Sequence, residues 1–178
     1  MNKKFFILIF FNLFSCTSCS GSQISDTTLS RALQQKEKFD KSVKIKDMII
    51  IIDYKKSLLN ERLWVYDLKE KKVIFSSHVG HAGKSGIFFA TNFSNTNNSE
   101  KSSVGSFITL NSYKSKFGES LRIQGLEQGQ NDNVLKRAII IHPMTWQPWS
   151  LGCFTIPKNK ISQLIKLIKN GVFMYVDS

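Results

Sequence analysis

The sequence is poor in acid, in cysteine and in long apolar runs. Thirteen aspartates and glutamates face 25 lysines and arginines, for a formal net charge of +12. The lysines are scattered rather than gathered, so the chain carries a general attraction to polyanions such as nucleic acid, anionic lipid or an anionic cell envelope. No arginine-rich helix, RNA-binding aromatic signature or zinc-finger spacing accompanies that charge, and nucleic acid is not implied as a partner. Of three cysteines, two stand at positions 16 and 19, which leaves Cys153 alone in the rest of the chain and excludes an internal disulfide framework. Walker and dinucleotide glycine motifs are missing, as are internal repeats, so nucleotide cofactors and solenoid architectures fall away. No metal-ligand spacing or cofactor motif stands out.

The longest uninterrupted stretch rich in apolar residues is N-terminal. Lys3 and Lys4 precede Phe5 to Phe14, too short to span a bilayer but suited to the core of a secretory signal. Leu13-Phe14-Ser15-Cys16 follows and resembles the lipobox of bacterial lipoproteins, in which the cysteine is lipidated and becomes the first residue. Phe14 is bulkier than the usual residue there, and Cys19 after Ser18 fits less well. Simple cleavage, leaving a soluble exported protein, is the other reading. The expected organisation is a signal peptide over 1–16, a tether and short helix over 17–43, and one domain over 44–178. Export to the envelope or periplasm with a membrane anchor on Cys16 is the expected localisation.

Leu29, Ala32, Leu33, Lys36 and Phe39 fall at helical spacing, with Thr27 or Thr28 placed to cap, and predict a helix to about Lys41 packed on the domain. Met48 to Asp53 is apolar throughout and too short for an ordinary helix, which predicts a buried strand. Leu63–Leu68 and Val73–Phe75 flank the charged turn 69–72 and predict a hairpin, although that turn lacks glycine. His81 and Gly83 lie in a loop after a strand, a plausible rim of a site. The stretch Thr91–Ser103, rich in asparagine and serine, predicts either a mobile loop or one that lines a cleft. Strands follow at 105–110 and 121–123, then a helix over 158–169 with Ile161, Leu164, Ile165 and Ile168 on one face, and a strand over 172–176. Strands outnumber helices.

The chain is organised around Arg137 to Pro157. Arg137-Ala138-Ile139-Ile140-Ile141-His142 reads as a buried strand that delivers a histidine at its end; Ser150-Leu151-Gly152-Cys153 leads into a second strand, Phe154 to Ile156. Singly, a cysteine is more often a small buried hydrophobe and a strand-end histidine a hydrogen-bonded edge residue. Paired across one loop, they have the outline of a thiol nucleophile, Cys153, and its base, His142. Gly152 frees the backbone beside the sulfur, and the amides around Gly152 and Cys153 are the nearest supply of oxyanion donors. Ser150 is expected to hold the loop. His81, Arg122 and Arg137 could border a cleft, Arg122 and Arg137 by binding a carboxylate, although solvated charge is the simpler reading of both arginines.

From about Ile49 to Val176 the chain resembles the YkuD-like murein L,D-transpeptidase catalytic domains. The residues that carry this are His81-Ala82-Gly83, Ala90-Thr91-Asn92-Phe93-Ser94-Asn95, Ser102-Ser103-Val104-Gly105, Tyr113 to Gly118, Ser120 to Glu127, Arg137 to His142 and Ser150-Leu151-Gly152-Cys153. The resemblance implies a mostly β fold, a curved sheet or β-sandwich with one or two short helices, and an enzyme of the bacterial envelope acting on peptidoglycan stem peptides. By position it matches Cys153 to the nucleophile and His142 to the general base. The implied reaction attacks a diamino-acid carbonyl, expels the terminal D-alanine and passes the thioester to an amine or to water. Better-known members carry histidine where Leu151 stands, arginine where Thr155 and Ile156 stand, and a longer stretch between histidine and cysteine. The other reading is a catalytically inactive envelope lipoprotein that binds the anionic wall through its lysines.

Overall fold

A computed structural model describes residues 23–178, so the signal-peptide and Cys16 expectations lie outside the described residues. One sheet of eight strands forms the body, with strand order β3-β2-β1-β8-β4-β5-β6-β7. The strands are β1 (Ile45–Asp53), β2 (Leu63–Asp67), β3 (Lys72–Ser77), β4 (Gly105–Ser115), β5 (Gly118–Gly125), β6 (Ile140–Pro143), β7 (Phe154–Ile156) and β8 (Val172–Asp177). Two helices pack on it, α1 (Asp26–Lys38) and α2 (Ile161–Ile168). Of the two expected forms, curved sheet or sandwich, this is the curved sheet: Val65 and Phe75 from one edge share a single apolar cluster with Ile141, Phe154 and Ile156 from the other. A sheet whose first and last strands meet over one core must curl.

The apolar run of β1 follows from its place in the middle of that sheet. Ile50 and Ile52 enter the cluster inside the curl, whereas Ile49 and Ile51 pack with Trp64, Phe173 and the α1 residue Ala32 on the other face. A strand covered on both faces needs no polar alternation. α2 drives Ile161, Leu164, Ile165 and Ile168 into the inner cluster; each such side chain, fully buried, stabilises by about 1.5–3 kcal/mol.

Several local expectations shift. Ser25, not Thr27 or Thr28, caps α1, accepting from the Thr28 amide at 3.1 Å. α1 ends at Lys38, short of the expected 41, and α2 spans only 161–168. In the glycine-free β2–β3 turn Lys71 takes φ +50°, the conformation a glycine would adopt more readily. The strand expected from Arg137 begins only at Ile140, because Ala138 adopts φ +53° and turns the chain before pairing starts.

Thr28 faces inward and donates to Asp177 Oδ2 at 2.9 Å, where Lys55 (2.6 Å) and Arg31 (3.2 Å) also converge. Burial alone would raise the Asp177 pKa, but the hydrogen bonds from Lys55, Thr28 and Arg31 outweigh it and hold the carboxyl below its ordinary value. A depressed folded-state pKa contributes stability that is complete above the unfolded value, about 3.9, and is lost as pH falls through the folded one. Asp177→Asn is therefore expected to cost about 2 kcal/mol at pH 7 and much less once wild type is protonated near pH 2. Urea unfolding at the two pH values checks this; an equal cost at both would exclude the charge as the cause.

Candidate active site

β6 and β7 pair in parallel, with Ile141 opposite Phe154 and His142 opposite Thr155. Ile141 and Phe154 are both fully buried in the inner cluster. Side chains alternate along a strand, so His142 and Cys153, the neighbours of those two, share the opposite face. There both line a cavity of about 600 Å³ with Lys116, Phe117, Trp149 and Leu151. The sequence-predicted pair is thus brought together by a parallel crossover whose connecting loop returns the chain to the level at which β6 began.

The histidine is oriented by its own strand end. His142 Nδ1 lies 2.8 Å from the Pro143 carbonyl oxygen; a carbonyl only accepts, so Nδ1 carries the proton and Nε2 keeps a lone pair. Nε2 makes no hydrogen bond among the described residues. Phe117, at the tip of the β4–β5 hairpin, stacks on the imidazole with ring centroids 4.1 Å apart and planes 17° from parallel. Burial lowers the His142 pKa and the Pro143 bond opposes it only in part, so the ring is neutral at neutral pH. Phe117 lies in the stretch Tyr113 to Gly118 that resembles the family, but its place against the imidazole is set by the β4–β5 hairpin in the adjoining part of the sheet, which local spacing does not show.

Cys153 is half-buried and reduced. Its sulfur lies 3.8 Å from the Ala138 carbonyl oxygen, a group aimed there by the left-handed conformation of Ala138. Burial pushes the thiol pKa up; the Ile140 amide, Arg137 and Lys116 pull the other way without reversing it. The resting pair is therefore a neutral thiol and a neutral imidazole, and nucleophilic attack needs proton transfer at the moment of reaction.

The turn before Cys153 is locked. Ser150 Oγ donates to the Cys153 carbonyl at 2.7 Å and accepts from the Gly152 amide at 3.1 Å. These two bonds brace the loop and engage the Gly152 N–H; the Cys153 amide has no partner among the described residues. Gly152 has φ +134°, a backbone conformation that side chains rarely permit. Gly80 serves a neighbouring need, since a Cβ there would collide with the Pro148 carbonyl and Thr155 Oγ1.

The other three candidates have different surroundings. His81 does not border the cavity: it is fully buried, between Arg62 Nη2 at 2.7 Å from Nδ1 and the Gly86 carbonyl at 2.9 Å from Nε2. Arg122 lies outside the lining, its guanidinium 3.8 Å over the Tyr113 ring. Arg137 does line the cavity, yet its guanidinium nitrogens donate to Ser94 O, Ser103 Oγ, Ser99 Oγ and Lys101 O at 2.5–3.0 Å. It thereby anchors the asparagine- and serine-rich stretch, whose Asn97, Asn98 and Glu100 border an adjoining hollow. Among the described residues no group of three His, Cys, Asp or Glu side chains is placed to hold a metal ion.

The family model of the L,D-transpeptidase catalytic domain matches residues 20–176. No curated protein sequence matches at a significant level. Among solved structures, the helical cell-shape-determining protein Pgp2 of Campylobacter jejuni is similar with a TM-score of 0.53 at 10% identity, over 86% of this chain and 56% of that one. An L,D-transpeptidase of Enterococcus faecium gives 0.49 at 15% identity over 74% and 50%. One from Stackebrandtia nassauensis gives 0.46 at 17% over 83% and 64%. The chain thus spans 50–64% of the length of these three solved chains.

Proposed function

Because the chain belongs to the L,D-transpeptidase catalytic-domain family, we propose that it is a cell-envelope cysteine acyl transferase acting on peptidoglycan stem peptides. The observation that carries this is the shared face of His142 and Cys153, opening on one cavity with the imidazole Nε2 unengaged. In the proposed reaction Nε2 accepts the Cys153 proton as the sulfur attacks the diamino-acid carbonyl. The oxyanion that forms is met by the Cys153 amide, the donor that Ser150 leaves free. As the tetrahedral intermediate collapses, the C–N bond breaks and the imidazolium returns its proton to the departing D-alanine nitrogen. The thioester is then taken by an amine of a second stem, giving a cross-link, or by water, giving a trimmed stem.

A second reading, wall binding without acylation, is favoured by Leu151, which occupies the rim, 73% exposed, where related enzymes carry histidine. A carbapenem separates the two, because it acylates a competent thiol and leaves a stable adduct. Intact-protein mass should rise by one carbapenem, with the adduct mapped to the peptide containing Cys153. An unmodified protein that still sediments with murein sacculi would replace the enzyme by the wall-binding lipoprotein.

A further inference from the structure

Arg62 is fully buried, yet no carboxylate forms an ion pair with it among the described residues. A buried guanidinium without a counter-ion is costly unless its donors are all engaged. Here Nε and Nη2 donate to the Val79 carbonyl at 3.0 and 2.8 Å, and Nη1 donates to the Lys56 carbonyl at 2.9 Å. The face of Tyr54 lies 4.9 Å away, and Nη2 also meets His81 Nδ1. Since arginine can only donate, His81 Nδ1 accepts, and its Nε2–H donates to the Gly86 carbonyl. One tautomer of a neutral imidazole satisfies both partners.

From His81 the hydrogen bonds run through Ser150 to the turn that carries Cys153. The Ser150 amide donates to the His81 carbonyl at 2.9 Å, and the Gly83 amide donates to the Ser150 carbonyl at 3.1 Å. Ser150 Oγ in turn holds Gly152 and Cys153. The segment 81–83 thus acts as a short splint along the turn that carries the thiol. The buried pair fixes that splint from inside.

We propose that Arg62 and His81 form a buried positioning pair that holds the Ser150–Cys153 turn in its reactive geometry. The inference rests on the reading of Cys153 as the nucleophile. Neither residue touches substrate, and their effect reaches the sulfur through the backbone of 81–83. A misplacement of about 1 Å at a reacting atom costs on the order of 10²-fold in rate.

The test replaces the pair by apolar groups of similar volume, Arg62→Met with His81→Phe, an exchange that need not destabilise. The full chain is compared with wild type by thermal unfolding, by amide hydrogen exchange at Gly83 and Ser150, and by the rate and concentration dependence of carbapenem acylation. The double variant is expected to stay folded, to exchange at both amides at least about tenfold faster, and to acylate roughly 10- to 100-fold slower at saturation. Half-saturating concentration should hardly move. His81→Asn, which can still accept from Arg62, should recover part of the rate; if the double variant does not fold, His81→Leu, which cannot accept from Arg62, is put through the same measurements in its place. Unchanged exchange at Ser150, or acylation within twofold of wild type in a folded variant, overturns the proposal. Faster exchange in the variant, together with a wild type that a carbapenem never acylates, would preserve the splint and remove the nucleophile reading instead.

Discussion

Cys153→Ala is expected to bind stem tetrapeptides about as well as wild type and to release no D-alanine from them. The substitution removes one sulfur that lies 3.8 Å from the Ala138 carbonyl oxygen, and it leaves untouched the Ser150 bonds that shape the turn. Fold and cavity should therefore survive. What disappears is the only free thiol among the described residues. When a nucleophile acts as a unit with its base, its removal costs on the order of 10⁶-fold in turnover, so mass-spectrometric D-alanine release should fall to background. Cys153→Ser should come close to the same loss, because a neutral imidazole that can deprotonate a thiol is a poor match for the less acidic hydroxyl. Release above about 1% of wild type from the alanine variant, well outside that loss, would place the nucleophile elsewhere.

His142→Ala is expected to slow acylation by about 10²- to 10⁴-fold, the usual worth of positioned acid–base catalysis. Affinity for the stem should stay near normal. The resting thiol is protonated, so the base acts in the transition state rather than by maintaining a thiolate beforehand. A loss confined to the rate, with half-saturation unchanged, is the signature of an interaction made only in the transition state. The pH profile carries a second expectation. Burial lowers the His142 pKa below its ordinary value of 6.5, so the base stays competent there and the acid limb of kcat/KM should fall below pH 6.5. Stopped-flow acylation across pH measures both. A rate within a few-fold of wild type would point to another base, and His81 is a poor substitute because both its ring nitrogens are engaged in the interior.

The motif residues were legible because chemistry and strand signals coincide there. An apolar β-branched run ending in His142, then a glycine and a cysteine before a second strand, dictates its own local structure. The β1 run was legible for the same reason: two covered faces leave an unbroken apolar signature. Ser150 as a loop anchor was also within reach, since a hydroxyl beside a glycine turn has few other uses. His81 stood out by its glycine-flanked setting, but its environment did not. Whether a histidine borders a cleft or satisfies a buried arginine depends on Arg62, which enters from before β2 and carries no local pattern of its own.

Sequence alone determined the mostly β class, the placing of His142 and Cys153 at the two ends of one short loop, and the net positive charge of a lysine-rich chain. Each of these depends on residue type and near-neighbour spacing, which a chain displays without folding. Tertiary structure decided the rest. It chose the curved sheet, set Phe117 against the imidazole, spent Arg137 on the neighbouring loop, and gave the Gly152 amide to Ser150 so that Cys153 keeps the free one. Those outcomes turn on which distant groups meet, and that is settled by burying one continuous core across strands from both ends of the sheet.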